Sequence, residues 1–181
     1  MAGDTIDTPP KCTAIFRVGV VGHRYLANSE TVSFVAENSL AILKRLRSEH
    51  EGLRVISAIA EGADTIFAEK AVELNIPLEI VRPFEDYGID FTTPSAKQRY
   101  ERLRSCALSE TILPHTGRSD AAYLAGMYWI VDNCSLVVAV WDGSPARGSG
   151  GTGDAVERAL HLKSDWIHIN VANLSVTYPL K

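Results

Sequence analysis

The segment WDGSPARGSGGTGDAVERAL, residues 141–160, joins an apolar strand to a helix through a loop carrying five glycines between Gly143 and Gly153. Gly148, Gly150, Gly151 and Gly153 remove the Cβ atoms that would hold a ligand away from the main chain. Thr152 adds a hydroxyl, and the first turn of the following helix leaves N–H groups without intrahelical partners. Such a turn favours phosphate, because the free N–H groups and the helix dipole both present positive charge. A solvated surface loop has the same composition, so position decides between the two readings. The glycines directly follow the apolar run 135–141, and ligands of open α/β sheets sit at the carboxyl ends of strands.

Upstream, the same strand-then-helix unit occurs twice more. Residues 15–22 (IFRVGVVG) are β-rich and end in glycine, and a helical pattern follows over 31–50, with Val32, Val35, Ala36, Leu40 and Leu43 recurring every three or four residues. The cycle repeats with a strand over 53–60, a helix over 63–75 stopped at Asn75 ahead of Pro77, and a strand over 77–84. From 85 to 119 the rhythm loosens into a long connection of the kind that often forms a lid, with a charged helix over 95–108 and a short apolar piece over 111–114. A helix over 120–133, the strand 135–141, a helix over 154–163 and a strand over 166–171 complete the pattern. Successive strand–helix units imply parallel pairing with right-handed crossovers. The expected fold is therefore α/β, a Rossmann-like three-layer sandwich whose mostly parallel sheet has about five to six strands. It occupies one domain over 14–172, between a flexible leader (1–13) and a surface tail (173–181).

Bulk properties narrow the partners. The 181 residues are 46% hydrophobic and carry a net charge of −4. That balance argues against nucleic acid as the main partner and against an anionic membrane, since both need clustered Lys and Arg. The basic cluster from Lys44 to Arg47 reads as one solvated helix face. No apolar run approaches the roughly 20 residues that span a bilayer, and the first dozen residues lack a signal-peptide plan, so the expected compartment is the cytoplasm. Cys12, Cys106 and Cys134 are widely spaced and form no CxxC pair, and His50, His115, His161 and His168 show no ligand spacing. Neither a disulfide framework, a metal site nor a cofactor is called for.

Three strand ends bring polar residues to one rim. In GVVGHR, Gly22 permits a sharp exit, His23 and Arg24 follow, and the planar fork of Arg24 suits phosphate or carboxylate. In SAIAEGAD, Glu61, Gly62 and Asp64 lead into a helix, where the two carboxylates suit the N-terminal dipole and would repel phosphate. That end is expected to take ribose hydroxyls or base donors instead. The third rim is the opening segment, with Asp142, Gly143 and Arg147 beside the glycines, Asp154 in the first helical turn and Glu157 one turn on.

Taken together, GVVGHR, SAIAEGADTIFAEKA and VDNCSLVVAVWDGSPARGSGGTGDAVERA resemble the SLOG superfamily, which links the DNA-processing Smf proteins with the lonely-guy phosphoribohydrolases. The resemblance runs from about Ile15 to Val171 and is nearest to small bacterial members whose proposed ligands are nucleotides or nucleotide-derived signals. It implies that Gly22, Gly62 and the run from Gly150 to Gly153 line a nucleotide pocket. The lonely-guy enzymes carry a PGGxGTxxE motif whose glutamate acts with an arginine of the preceding helix. Here Ala155 stands at the glutamate position, and AAYLAGMYWIVDN has no arginine.

The leading expectation is thus a domain that binds or senses a nucleotide or nucleotide-derived ligand through its Gly-rich loops. A second is an N-glycosidic-bond hydrolase or transferase acting on a nucleoside monophosphate, with Glu61, Asp142, Asp154 or Glu157 stabilising a ribosyl centre. A third is a homo-oligomeric scaffold that dimerises through the face bearing Tyr123, Met127 and Tyr128.

Overall fold

The computed structural model describes residues 14–145 and 151–179. In chain order these form β1 (Phe16–Gly22), α1 (Ser29–Glu49), β2 (Leu53–Ser57), α2 (Ala63–Glu73), β3 (Leu78–Arg82) and a 3-10 turn (Tyr87–Asp90). They continue with α3 (Pro94–Ser105), β4 (Ser109–Ile112), α4 (Asp120–Asp132), β5 (Leu136–Trp141), α5 (Thr152–His161), β6 (Asp165–Asn170) and β7 (Ser175–Thr177). The sheet has seven strands in the order β4-β3-β2-β1-β5-β6-β7, with only β7 antiparallel to its neighbour. This is the Rossmann-like α/β sandwich that alternating strands and helices predict.

Alternation along the strands builds the three layers. Val18 and Val20 of β1, with Val138 and Val140 of β5, face a core shared with α1, α2 and α3. Val21, Val137 and Ala139 point the other way, toward Met127 and Ile130 of α4 and Ala155 and Val156 of α5. Each fully buried Val or Ile side chain contributes roughly 1.5–3 kcal/mol relative to exposure. Helix starts follow local chemistry: Asn28 Oδ1 accepts the Thr31 N–H at 2.8 Å, and Ser119 Oγ accepts the Ala122 N–H at 3.2 Å.

Three elements depart from the sequence expectation. β2 stops at Ser57 because buried Ile59 adopts φ 48° and Ser57 Oγ accepts the Ile59 N–H at 2.9 Å, turning the chain out of the sheet. The strand near 111–114 is β4, which begins two residues earlier with the polar pair Ser109 and Glu110. The C-terminal stretch read as a surface tail supplies β7, paired with β6 from His168↔Thr177 to Asn170↔Ser175.

At the amino edge of the sheet, Glu79 of β3 accepts hydrogen bonds from Arg17 of β1 at 2.6 Å and Arg54 of β2 at 2.7 Å. At the carboxyl edge, β1 and β5 lie side by side while their connections run in opposite directions, to β2 and to β6. That reversal opens a crevice above Gly22. Among the described residues no helix is long and apolar enough to cross a membrane.

Candidate functional site

The crevice holds two adjoining lobes. The first, about 220 Å³, is walled by β1 (Val20, Val21), the β2–α2 turn (Ala58, Ala60, Asp64) and α4 (Tyr123, Gly126, Met127), under Pro83 and Tyr87. The second, about 440 Å³, lies between His23, Asp142, Ser144 and the start of α5 at Gly151, Thr152 and Gly153. Gly22, Arg24 and Thr152 line both lobes, so the two are halves of one cleft.

Gly22 and Gly62 have packing reasons to be glycine. A Cβ on Gly22 would stand 2.6 Å from Ala63 Cβ and 2.9 Å from Val140 Cβ, so β1 and β5 can receive the start of α2 only without it. Gly62 has φ +98°, and a Cβ there would stand 2.5 Å from the carbonyl oxygen of His23. Close approach lets the Ala63 N–H donate to that same carbonyl at 3.1 Å. Gly62 therefore sits behind the cleft wall and fixes the backbone of residues 23 and 24. Gly143 has φ +87° and shapes the turn after Asp142, again without facing either lobe.

Arg24 reaches the cleft inside a network that sequence reasoning missed. Its Nη1 and Nη2 donate to Asp90 Oδ2 at 3.3 and 3.4 Å, and its guanidinium lies over the Tyr123 ring at 5.0 Å. Tyr123 donates its hydroxyl proton to the same Asp90 oxygen at 2.6 Å, while Arg118 Nη2 pairs with Asp90 Oδ1 at 3.0 Å. The Asp90 side chain is only 3% exposed. Around it, Phe84, Tyr87, Phe91 and Tyr123 contact one another edge to face at centroid distances of 5.6–6.5 Å, and Phe91 stacks on Tyr100 at 4.1 Å. The connection after β3 is thus an ordered roof. Its only sequence signals were its length and its aromatic content.

The acidic rim divides. Glu61 is exposed and borders a separate depression with Thr65, Phe91 and Arg99, outside both lobes. Asp64 is buried against the first lobe, with Ser57 Oγ 3.4 Å from its Oδ2 and the Ala60 N–H bonded to its carboxylate. Burial pushes the Asp64 carboxyl up to about 7, against the pull of Arg24 and these hydrogen bonds. The expected pair of ionised carboxylates is therefore corrected to one buried carboxyl that is half-neutral near pH 7.

In the second lobe, Asp142 Oδ1 accepts the Ser144 N–H at 2.9 Å and lies 3.3 Å from His23 Nε2. The Ser144 bond, with help from His23, outweighs desolvation and holds Asp142 below the usual carboxylate range. Gly151 caps α5 and the Asp154 carboxylate accepts its N–H at 3.2 Å, so Asp154 serves the helix start. Glu157 is exposed one turn further on and borders neither lobe. Of the four carboxylates considered for catalysis, Asp142 alone lines the cleft among the described residues. Arg147, Gly148 and Gly150 lie outside the described residues. On α4, Tyr123 and Met127 form the cleft wall, and Tyr128 carries the Arg158 guanidinium 5.2 Å over its ring.

No protein-family model and no curated protein sequence matches the chain. Solved structures do. DNA processing protein A from Helicobacter pylori, described for its single-stranded DNA binding mode, superposes with a TM-score of 0.60 at 14% identity. The match covers 84% of this chain and 64% of that one. DNA processing protein A from Streptococcus pneumoniae gives 0.59 at 19% identity, over 85% of this chain and 50% of that one. A structural-genomics target, TM1055, gives 0.55 at 15% identity, over 84% and 72%. The chain thus spans between half and two thirds of the DNA-processing proteins it matches. At such identities the likeness establishes the fold alone.

One expectation is overturned here. Nucleic acid was set aside as the main partner on net charge, yet a protein of this fold is described as binding single-stranded DNA. A net charge of −4 sums the whole chain. Phosphate contacts depend instead on a local cation and free N–H groups, so the total was the wrong quantity.

Proposed function

We propose that the cleft binds a nucleotide unit, either free or within a single strand, with its phosphate at Arg24 and the start of α5 and its base in the first lobe. The observation that carries this reading is the division of one crevice into a mostly apolar, aromatic-walled half and a polar half at a helix N-terminus, with Arg24 lining both. A flat heterocycle suits the first and an anion the second. The fold neighbours support a nucleotide-related role, since one of them is described as binding single-stranded DNA.

The test is thermal. A panel of nucleoside mono- and diphosphates, cyclic nucleotides, ADP-ribose and short single-stranded oligonucleotides is expected to contain a ligand that raises the melting temperature. At 100 times its Kd such a ligand adds roughly 2.7 kcal/mol. Arg24→Ala is expected to abolish the shift. A flat response of the wild-type protein across the panel overturns the proposal, and chromatography of the ligand after long incubation separates binding from turnover.

A further inference from the structure

We propose that Asp64 reads the edge of the bound heterocycle as a neutral carboxylic acid, so that the first lobe selects an adenine-type base and releases it as the acid ionises. This rests on the cleft being a nucleotide site and names the base class that its inner lobe takes.

The geometry singles out Asp64. It is the one carboxylate lining the first lobe among the described residues, and only 5% of its surface is exposed. Two other polar groups of the lobe, Arg24 and Tyr123, are engaged with Asp90. Arg24 is held by Asp90 and Tyr123, and the Tyr123 hydroxyl donates to Asp90. Asp64 has one long contact, Ser57 Oγ at 3.4 Å, and the Ala60 N–H. A protonated carboxyl offers one donor and retains acceptor capacity. That pair matches a ring nitrogen next to an exocyclic amine, as on the Watson–Crick edge of adenine, which is the edge that extruded bases present inside protein pockets. An ionised carboxylate has acceptors alone and matches adjacent N–H donors, as in guanine N1–H and N2–H2.

The groups facing Asp64 set the direction of the pH effect. Arg24 approaches from the turn after β1 and favours the anion; Tyr87 of the 3-10 turn stays uncharged, because burial holds its phenol well above the ordinary value, and Asp90, Tyr123 and Arg118 lie behind Arg24. Gly126, Met127 and Ile130 of α4 present apolar surface to the lobe. Burial outweighs the pull of Arg24, and the carboxyl titrates at about 7. Its neutral fraction then falls from about nine-tenths at pH 6 to about one-tenth at pH 8, which weakens a ligand that needs the acid about tenfold.

The experiment measures binding of adenosine and guanosine 5′-monophosphate to wild type and Asp64→Asn at pH 6 and pH 8. Asparagine presents the donor–acceptor pair of the neutral acid at every pH, and the variant carries all other titrations, including that of the ligand phosphate. Relative to Asp64→Asn, wild-type affinity for the adenine nucleotide is expected to drop about tenfold between the two pH values. Affinity for the guanine nucleotide is expected not to drop. Adenine-nucleotide binding with the same pH profile in both proteins overturns the inference while leaving the nucleotide site intact. So does a folded Asp64→Asn protein that binds guanine nucleotide but no adenine nucleotide at either pH. Absence of binding of both nucleotides by wild type at both pH values overturns the inference, and a flat response across the wider nucleotide panel overturns the nucleotide site as well.

Discussion

A Cβ atom on Gly62 would overlap the carbonyl oxygen of Arg24, so the residue that starts α2 and the cation in the cleft share one tight backbone contact. Gly62→Ala must relieve that overlap and also place a side chain at φ +98° and ψ −127°. We expect a loss of about 2–4 kcal/mol in urea unfolding. In the folded fraction Arg24 shifts, so ligand binding weakens as well.

Removing Asp90 leaves Arg24, Arg118 and the Tyr123 hydroxyl without their shared acceptor. Because Arg118 is largely exposed, water compensates part of the change. Asp90→Ala is expected to cost about 1–3 kcal/mol, and Asp90→Asn less, as the amide oxygen still accepts the Tyr123 proton. Arg24 freed from Asp90 gains freedom, and its anion affinity measured by titration calorimetry should change in both variants.

Asp64 also makes stability depend on pH. Its folded value, about 7, lies above the ordinary value of 3.8, so the native state binds the proton more tightly than the unfolded chain. Stability from this group is full below about 4, falls as pH rises through 7 and is then flat. Asp64→Asn lacks that loss. Its unfolding free energy in urea should gain on wild type between pH 4.5 and pH 8, by an amount on the order of a few kcal/mol.

Glu79 has the opposite sign. Burial pushes its carboxyl up, but hydrogen bonds from Arg17 and Arg54 outweigh burial and hold it below the ordinary value. Its stabilisation is present above about pH 4.5 and is lost as pH falls through the lowered value. Both arginine side chains are about one third exposed, so solvent screens the pair. Glu79→Gln is expected to cost about 1–2 kcal/mol at pH 7 and progressively less as pH falls through the lowered value, measured by chemical denaturation.

The β–α rhythm was legible because β1, β2, β3 and β5 are mostly buried runs between helical periods and β6 alternates buried with partly exposed residues. β4 and β7 were not, since SETI and SVT are short edge strands with exposed or half-exposed residues and little apolar signal. At the site, the glycines at 22 and 62 marked the right turns, but their spacing cannot distinguish a ligand from a neighbouring backbone as the reason for a missing Cβ. Asp90, Tyr87 and Arg118 were invisible as site residues because only the fold carries them back over Arg24. Tyr123, Met127 and Ile130 lie at i, i+4 and i+7 on α4, a spacing that core, interface and cleft wall share.

The interlocked rings of Phe84, Tyr87, Phe91, Tyr100 and Tyr123 bear on how fast a ligand can be taken up. Rings held edge to face on several sides cannot swing aside singly, so the cover over the first lobe is in place before anything enters. Entry of the proposed ligand beneath this roof then needs no slow closing of the rings. Under the proposed function, selection at this cleft is by fit to a standing shape, and residence time, rather than the rate of arrival, is expected to separate good ligands from poor ones.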